Sequence, residues 1–214
     1  MGKMDEPIIV VKRAALFGAD QKLTFQGTLQ AVEKVQIIEQ NLASSWQVMR
    51  RGDAEENPAY KQPITYAIIQ RGNHFFSYKR LGGGAESRLH GKLSIGVGGH
   101  MNAVDEASDF QQILENNLKR EISEELLIEQ SGEKLSTRTV GYINDDKTEV
   151  GRVHIGILVL IQLPQQATVT VKEKDKLEGQ WLTLSELKSE SVFTHLESWS
   201  AYAAETLHEA ELNR

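Results

Sequence analysis

Three glutamates, Glu121, Glu124 and Glu125, follow one another at a spacing that brings them together if the segment is helical. Each residue of an α-helix turns by about 100°, so the three carboxylates fall within an arc of about 100°. Like charges at this spacing repel one another, and a cation among them relieves that repulsion. Mg²⁺ takes carboxylate and phosphate oxygens as ligands, so the pattern suits a magnesium site for a phosphate compound. A solvated acidic helix face is the alternative.

A glycine-rich stretch precedes this segment. Gly96, Gly98 and Gly99 end a short apolar run, and His100 follows them. Because glycine has no Cβ, we expect these residues to let the backbone turn with positive φ and to let a ligand approach closely. His100 could contact a phosphate or a carboxylate next to the metal. A simple tight turn with a structurally hydrogen-bonded histidine is the alternative.

A helix must hold the three carboxylates on one side. Ser108, with Gln111 three residues later, resembles a capping box, which predicts a helix from about Asp109 to about Ile128. The glutamates then lie at the edge of the buried face, beside an apolar stripe. That stripe consists of Leu118, Ile122 and Leu126.

The stretch from Gly98 to Ile128 resembles the signature of the Nudix hydrolase family. That signature runs Gly, five residues, Glu, seven residues, Arg-Glu, an aliphatic residue, any residue, Glu-Glu, any residue, Gly and an aliphatic residue. Gly99 takes the first position, and Asp105 takes the first acid. The second half is matched position by position by Arg120, Glu121, Ile122, Glu124, Glu125 and Ile128.

Two positions depart from the signature. Asp105 and Arg120 are 15 positions apart where the pattern has 8, so about seven residues are inserted. Leu127 replaces the late glycine, which should change the turn after the helix without removing a ligand. A looser resemblance extends over about 64–187, where the run from Glu178 to Leu187 resembles the family's closing strand and helix start.

The resemblance implies a metal-dependent pyrophosphohydrolase that uses Mg²⁺, with Mn²⁺ as an alternative ion. Glu121, Glu124 and Glu125 would carry the metal, and Glu121 is also a candidate catalytic base. Arg120 would belong to the catalytic set by orienting a glutamate. Bound ions of this kind neutralise diphosphate oxygens and lower the pKa of a bound water.

The resemblance also implies roles outside the helix. Gly98, Gly99 and His100 are expected to bind the substrate side of the site, with Gly99 shaping the loop. A general base may come from a separate loop in this family, and the candidates here are Glu178 and Glu149. An ordinary surface position is the alternative for both glutamates.

The order of helical and strand-like runs predicts a mixed sheet with helices on its faces, in an α/β or α+β sandwich. The resemblance favours the α/β class, as a Nudix-type α/β/α sandwich with a mixed sheet and an N-terminal β/α extension. The polar run from Arg50 to Gln62 predicts a loop between the extension, residues 1–62, and the hydrolase domain, residues 63–214. Thr194 with Glu197 resembles a capping box for a last helix that ends near Leu212. In the extension we expect strands at 8–17 and 23–29 and a helix over about 31–49. In the domain we expect strands at 64–70, 74–79, 92–97, 137–143, 153–163, 169–172 and 180–183, with a hairpin turn at 71–73.

The amino-acid composition limits the partners and the cellular compartment expected for the protein. The 24 Lys and Arg against 30 Asp and Glu give a net charge of −6, so we expect no stable nucleic-acid binding. The chain has no cysteine, which excludes disulfides and thiolate chemistry and favours the cytoplasm. No apolar run approaches the ~20 residues of a membrane span. The N-terminal strands could pair with those of a second copy, which would give a homodimer.

Together, these patterns predict a metal-dependent hydrolase of a pyrophosphate bond in a nucleoside diphosphate linked to another moiety, a small nucleotide-type substrate. The alternative from another class is a catalytically inactive, Nudix-like module that binds a nucleotide or regulates. The isomerase branch of the same fold relies on a catalytic cysteine, which this chain lacks.

Overall fold

The computed structural model describes residues 2–81, 91–104, 107, 109–129 and 136–212, with side chains up to residue 207. The strands are β1 (Pro7–Lys12), β2 (Gly27–Leu29), β3 (Trp46–Arg50), β4 (Tyr60–Arg71), β5 (His74–Arg80), β6 (Leu93–Ser94), β7 (Gly96–Val97), β8 (Leu126–Glu129), β9 (Ser136–Asn144), β10 (His154–Leu163), β11 (Thr168–Val171) and β12 (Leu177–Thr183). The helices are α1 (Arg13–Phe17), α2 (Val32–Ser45), α3 (Arg51–Glu55), α4 (Phe110–Glu125), α5 (Glu149–Val153), α6 (Leu184–Lys188), α7 (Glu190–Phe193) and α8 (Ser198–Leu212). These elements confirm the predicted α/β class.

The chain divides into two compact units. Unit 1 consists of Met1–Tyr66, Gly98–Arg120 and Val140–Leu158. Unit 2 consists of Ala67–Val97, Glu121–Thr139 and Val159–Arg214. The chain passes from one unit to the other within β4, β9, β10 and α4.

Unit 1 is built around the strand β1. This strand pairs antiparallel with β3 along most of its length, and its end pairs with the start of β4. The four central residues of β1, an unbroken run of Ile and Val, are fully buried. Side chains on one face of β1, Ile8 and Val10, pack with Ala54 of α3 and with Met49 and Tyr60. In the same unit β2 pairs antiparallel with the end of β9.

Unit 2 contains a long antiparallel pair. Strand β5 pairs with β12 over seven residues and with the end of β4 through a tight hairpin. The hairpin turn at residues 71–73 is confirmed, since Arg71 pairs with His74 and Gly72 has a φ of +58°. Strands β8 and β11 form a second, two-stranded antiparallel sheet.

The elements of the N-terminal region differ from the expectation in three places. The strand expected at 8–17 ends at Lys12, and helix α1 follows it, because the run Arg13–Phe17 is rich in good helix formers. Of the strand expected at 23–29, only β2 forms. The helix expected to reach residue 49 ends at Ser45, and the β-prone residues after it form β3 against β1.

The loop expected between Arg50 and Gln62 is wrong in part. It contains α3 and the first residues of β4. Its polar character comes from ion pairing, since Arg51 lies near both Glu6 and Glu55. Because the side chains of α3 are mostly polar and pair with one another, apolar residues do not recur at helical spacing. The sequence pattern therefore did not predict this helix.

The N-terminal caps of α4 and α8 differ from the ones that the sequence predicts. Helix α4 forms over most of the predicted segment but ends at Glu125, and the last residues expected in the helix belong to β8. The carboxylate of Asp109 accepts a hydrogen bond from the backbone N–H of Gln112 at 2.9 Å, which caps the start of α4. The predicted cap Ser108 and the predicted acid Asp105 lie outside the described residues. The capping box expected at Thr194 is wrong, because α8 begins four residues later and the box instead forms at Thr183, before α6.

The predicted boundary between an extension and a hydrolase domain, at residue 62, falls inside β4. The assignment of residues 1–62 and 63–214 as separate parts stays a prediction. Within the residues that the structure describes, no helix is both long enough and apolar enough to span a bilayer.

Candidate functional site

The three glutamates of the predicted metal site lie at the C-terminal end of α4, within unit 2. Glu121 is buried, with 8% of its surface exposed, Glu124 is exposed and Glu125 is half-buried. Burial raises the pKa of Glu125 to about 7, and the charges of Glu121, Glu173 and Glu124 add to this rise. A carboxyl group in such surroundings is stabilised as an anion by a nearby cation. The donor set therefore suits a divalent ion.

The backbone around the end of α4 is fixed by strand β11 and the residue that follows it. The main-chain N–H of Lys172 donates to the carbonyl oxygen of Glu125 at 2.9 Å, and the ammonium group of Lys172 donates to the carbonyl oxygen of Ser123. Leu127, which replaces the signature glycine, pairs with Thr170 and is about half exposed. The helix thus continues directly into β8, and Leu127 needs no glycine conformation.

Arg80 is the cation of unit 2 whose charge acts on Glu125. That charge opposes the rise in the pKa of Glu125. The Arg80 Nε donates to the Glu197 carboxylate at 2.9 Å, and its guanidinium lies 5.5 Å from the centre of the Tyr78 ring. The Tyr78 hydroxyl is buried and donates to the carbonyl oxygen of Gly96 at 2.9 Å. These contacts hold Arg80 in one orientation.

Arg120 and the glycine-rich loop lie together in unit 1. The Arg120 Nη2 donates to the carbonyl oxygen of His100 at 2.8 Å and to the side-chain oxygen of Asn117 at 3.1 Å. Asn117 in turn holds the loop by a pair of hydrogen bonds with the backbone of Asn102, at 2.8 and 2.9 Å. Arg120 therefore anchors the loop to α4. The role predicted for Arg120, orienting a glutamate, stays a prediction.

The glycines of this loop serve a different purpose from the one expected. None of Gly96, Gly98 and Gly99 has a positive φ, so that expectation is wrong. A Cβ added to Gly98 would lie 1.6 Å from the carbonyl oxygen of Thr65, which no side chain allows. The Thr65 N–H donates to the carbonyl oxygen of Gly99 at 3.1 Å. Glycine is therefore required at 98 because β4 approaches the loop backbone closely.

The two candidate bases outside the helix occupy different settings. Glu178 lies exposed on β12, opposite Lys79 of β5 in the register. It lines an open cavity of about 500 Å³ within unit 2, together with Leu81, Val171 and Lys174. Glu149 begins α5, and 94% of its side chain is exposed. Their catalytic roles stay predictions, and Glu178 has the more enclosed position of the two.

A cluster in unit 1 joins His100 to two residues that the sequence did not single out as a group. The Nε2 atoms of His100 and His154 lie 3.1 Å apart. The Glu55 carboxylate oxygens lie 3.7 Å from the His100 Nε2 and 3.9 Å from the His154 Nε2. The side-chain oxygen of Gln62 lies 2.8 Å from the same His100 nitrogen. The ligand atoms of Glu55, His100 and His154 therefore lie within 4.8 Å of one another, and the Gln62 oxygen adjoins one of them.

Both histidines of this cluster are neutral. Burial and, to a smaller extent, the neighbouring His154 ring lower the pKa of His100 to about 2. Burial also lowers the pKa of His154. The Nδ1 of His154 lies 2.6 Å from the carbonyl oxygen of Val150, so it carries the ring proton and the lone pair is on Nε2. That nitrogen is the one that faces His100 and Glu55.

The sequence alone does not reveal Glu55 and His154 as neighbours of His100, for physical reasons. Glu55 ends a helix of five residues, and one turn is too short to show an apolar period. His154 is the first residue of β10, which is buried on both faces, so its sequence has no polar–apolar alternation to show which face the His154 side chain is on. The ligands are 45 and 54 positions apart in the chain, a spacing that matches no local metal motif. Only the fold brings them together.

Comparisons with known proteins place the chain among its relatives. Protein YmaB of Bacillus subtilis (strain 168) is 47% identical over 207 residues, which cover 97% of this chain and all of YmaB. The crystal structure of Tm1382, a protein assigned provisionally to the Nudix hydrolases, superposes with a TM-score of 0.76 at 28% identity and covers 96% of this chain and all of that one. A MutT NUDIX hydrolase from Burkholderia pseudomallei gives a TM-score of 0.47 at 21% identity, over 69% of this chain and 98% of that one.

No family model matches the chain. The structural match to Tm1382 covers nearly the whole chain. The chain belongs to the family of YmaB, and it is a member of the Nudix hydrolases.

Proposed function

We propose that the protein is a metal-dependent hydrolase of a pyrophosphate bond in a nucleoside diphosphate linked to another moiety. The observation that carries this proposal is the placement of Glu121, Glu124 and Glu125 in the last turns of α4, where burial and the neighbouring carboxylates raise the pKa of Glu125 to about 7. Burial and like charge at one point make ionised carboxylates costly unless a cation is bound. The membership of the Nudix hydrolases supports the reaction type.

The residues at this end of α4 fit Mg²⁺ or Mn²⁺. Glu121, Glu124 and Glu125 would hold the ion, because hard cations take carboxylate oxygens. When bound, such an ion polarises phosphoryl oxygens and lowers the pKa of a bound water. Glu121, which is buried, is suited to keep a fixed position, whereas exposed Glu124 can follow the ion.

The remaining candidate residues would prepare the substrate. Arg120 fixes the loop that carries Gly99 and His100 through its bond to the His100 carbonyl, and this loop is proposed to bind the substrate. Glu178 is proposed as the base that accepts a proton from the attacking water. Its position on the wall of the cavity in unit 2 supports a role next to a bound molecule. Lys174 on the same wall offers a positive charge to phosphate oxygens.

The test is phosphate release from a panel of nucleoside triphosphates, nucleotide sugars, dinucleoside polyphosphates and nucleotide coenzymes, coupled to a phosphatase or pyrophosphatase, with and without Mg²⁺. We expect one class to be turned over only with the ion, and Glu124→Gln to lose about 10²-fold or more of kcat. Glu115→Gln, an exposed glutamate of the same helix, is the matched control and should retain activity.

The alternative, a Nudix-like module that binds without catalysis, has its own outcome. No turnover of any compound, together with thermal stabilisation by a nucleotide in the wild type and in Glu124→Gln, would establish it. The wider expectations also remain proposals: a cytoplasmic enzyme, a homodimer through the N-terminal strands, and no binding to nucleic acid or membranes.

A further inference from the structure

We propose that Glu55, His100 and His154 form a second metal site, which binds a transition-metal dication of the Zn²⁺ type. The three residues lie within unit 1 and come from α3, from the loop after β7 and from the start of β10. Two imidazoles and one carboxylate are a recurrent ligand set for zinc and for non-haem iron. The site shares His100 with the loop proposed to bind the substrate, but its metal binding can be measured without the proposed hydrolase activity.

The distances suit a metal of this size. Zn–N and Zn–O bonds of about 2.0–2.1 Å in a tetrahedron place ligand atoms roughly 3.3 Å apart. The measured separations are 3.1 Å between the two Nε2 atoms and 3.7 and 3.9 Å from these atoms to the Glu55 oxygens. Shifts of a few tenths of an ångström therefore bring the three groups into bonding positions around one ion.

Surrounding contacts fix the ligand atoms. The carbonyl oxygen of Val150 accepts the proton of the His154 Nδ1, which commits the Nε2 lone pair to the cluster. Such a hydrogen bond to the second ring nitrogen accompanies nearly all histidine ligands. The ammonium of Lys61 donates to the carbonyl oxygen of His154 at 3.1 Å and holds its backbone. Arg51 contacts the Glu55 carboxylate at 3.4 Å, one helical turn before it.

Gln62 gives an independent sign of a bound group. Its side chain is fully buried, its oxygen lies 2.8 Å from the His100 Nε2, and its side-chain nitrogen has no hydrogen-bond partner within the described part of the chain. Buried polar atoms nearly always have a partner, and an exception points to a water or an ion. The Gln62 oxygen offers a fourth ligand, and a metal-bound water would accept from the nitrogen.

The type of donor sets the selectivity of this cluster. Neutral imidazole binds zinc, iron, nickel and copper well, whereas Mg²⁺ prefers oxygen and keeps its waters. The His154 Nδ1 is held by the Val150 carbonyl oxygen, which leaves the Nε2 lone pair for a metal, and an imidazole with a free lone pair is the form that ligates. We therefore expect the two sites of the chain to sort ions by chemistry, with Mg²⁺ on the glutamates of α4 and a transition metal on Glu55, His100 and His154.

The experiment is a Co²⁺ titration of protein stripped with a chelator, in the presence of excess Mg²⁺, followed by visible absorption. We expect one Co²⁺ per chain with the strong absorption of a nitrogen-containing site, displaced by Zn²⁺. Glu55→Gln and His154→Gln should weaken binding at least tenfold, since even loss of a surrounding partner costs about 10–100-fold. Glu124→Gln and Glu115→Gln should bind as the wild type, which separates this site from the proposed active site.

Two results would overturn the proposal: no Co²⁺ absorption in the wild type, or equal absorption in Glu55→Gln. Each variant is checked by circular dichroism before titration. If His154→Gln does not fold, Glu55→Gln decides, because its carboxylate is partly exposed and its loss leaves both histidines in place. As a second readout, Zn²⁺ should shift the Nε2 resonances of His100 and His154 in ¹⁵N spectra, whereas a mere His–His hydrogen bond would leave them unchanged.

Discussion

The ammonium group of Lys61 lies 2.8 Å from the carboxylate of Asp146, and the lysine side chain has no exposed surface. Two carbonyl oxygens, of Gly151 and His154, complete its hydrogen bonds at 2.8 and 3.1 Å. A buried ammonium with three acceptors is fully paired, so it costs far less than an isolated buried charge. The pair ties β4 to the segment that precedes β10 within unit 1.

Replacing Lys61 with methionine should lower the free energy of unfolding by roughly 3 kcal/mol, because two buried carbonyls and one carboxylate lose their partner. Urea denaturation at neutral pH measures this change. Lys79→Met, an exposed lysine on β5, is the control and should change stability by less than about 0.5 kcal/mol. Equal stability of the Lys61 and Lys79 variants would contradict a structural role for the buried pair.

The acid stability of the chain should depend on Asp146. Burial by itself raises the pKa of this carboxyl, but hydrogen bonds from Arg13, Lys61 and Asn144 outweigh it and hold the pKa well below 3.8. Because the pKa is lower in the folded state, the stabilisation is present above about pH 4 and is lost as the pH falls. Asp146→Asn should therefore be less stable than the wild type at neutral pH, with a gap that narrows towards pH 3. Urea midpoints across this range provide the measurement, and a constant gap would refute the linkage.

Gly98→Ala should destabilise the protein by about 3 kcal/mol or more, since its Cβ would collide with the Thr65 backbone and neither strand nor loop can yield cheaply. Thermal unfolding compares it with Gly52→Ala, where the added carbon meets the far end of the Arg50 side chain at 3.0 Å and no backbone atom is among its nearest contacts. That control should be neutral or slightly stabilising, because alanine favours the helix α3. A Gly98→Ala protein as stable as the wild type would show that the close approach is not required.

Arg120→Lys should lower kcat by roughly tenfold to a hundredfold if the proposed hydrolase activity is present. Lysine keeps the charge but cannot reach both the His100 carbonyl and the Asn117 oxygen, so the loop loses its fixed position. Steady-state kinetics on the substrate found in the panel measures the loss. Lys119→Met, an exposed neighbour on the same helix, is the control. Unchanged kcat in Arg120→Lys would remove the anchoring role.

Long elements could be predicted from the sequence because their patterns repeat. Helix α4 agrees with the predicted segment to within three residues at either end, since its apolar stripe extends over several turns. Short elements gave no such repeat: α1 and α3 have five residues each and were expected as strand and loop. Burial on both faces explains why β4 and β10 were still found, since a continuous apolar run predicts a buried strand without any period.

The candidate-site residues are likewise of two kinds: those that a local sequence pattern predicts and those that only the fold brings together. Glu121, Glu124 and Glu125 are neighbours in the chain, so a helical period was enough to place them together. The sequence predicted that a glycine is needed at position 98, but to admit a ligand. In the structure the Thr65 backbone is what approaches it, and the local sequence does not indicate a close approach between two distant segments. Glu55, His100 and His154 come from three separate segments of the chain, and only tertiary contacts bring them together. Their proximity could therefore not be derived from sequence spacing.

Helix α4 ends with the wrong sign of charge for its own backbone. The aligned peptide dipoles give the C-terminal end of a helix about half a negative charge, and cations usually sit there. Here the end carries Glu124 and Glu125, no basic residue lies in the last turn, and the ammonium that reaches it comes from Lys172 in another segment. The helix alone would therefore fray at this end, and an ion bound there, as proposed above, would act as its cap. Local opening of the last turn, measured by amide hydrogen exchange, should slow when Mg²⁺ is added, so the same ion would order the end of α4 as well as serve the proposed reaction.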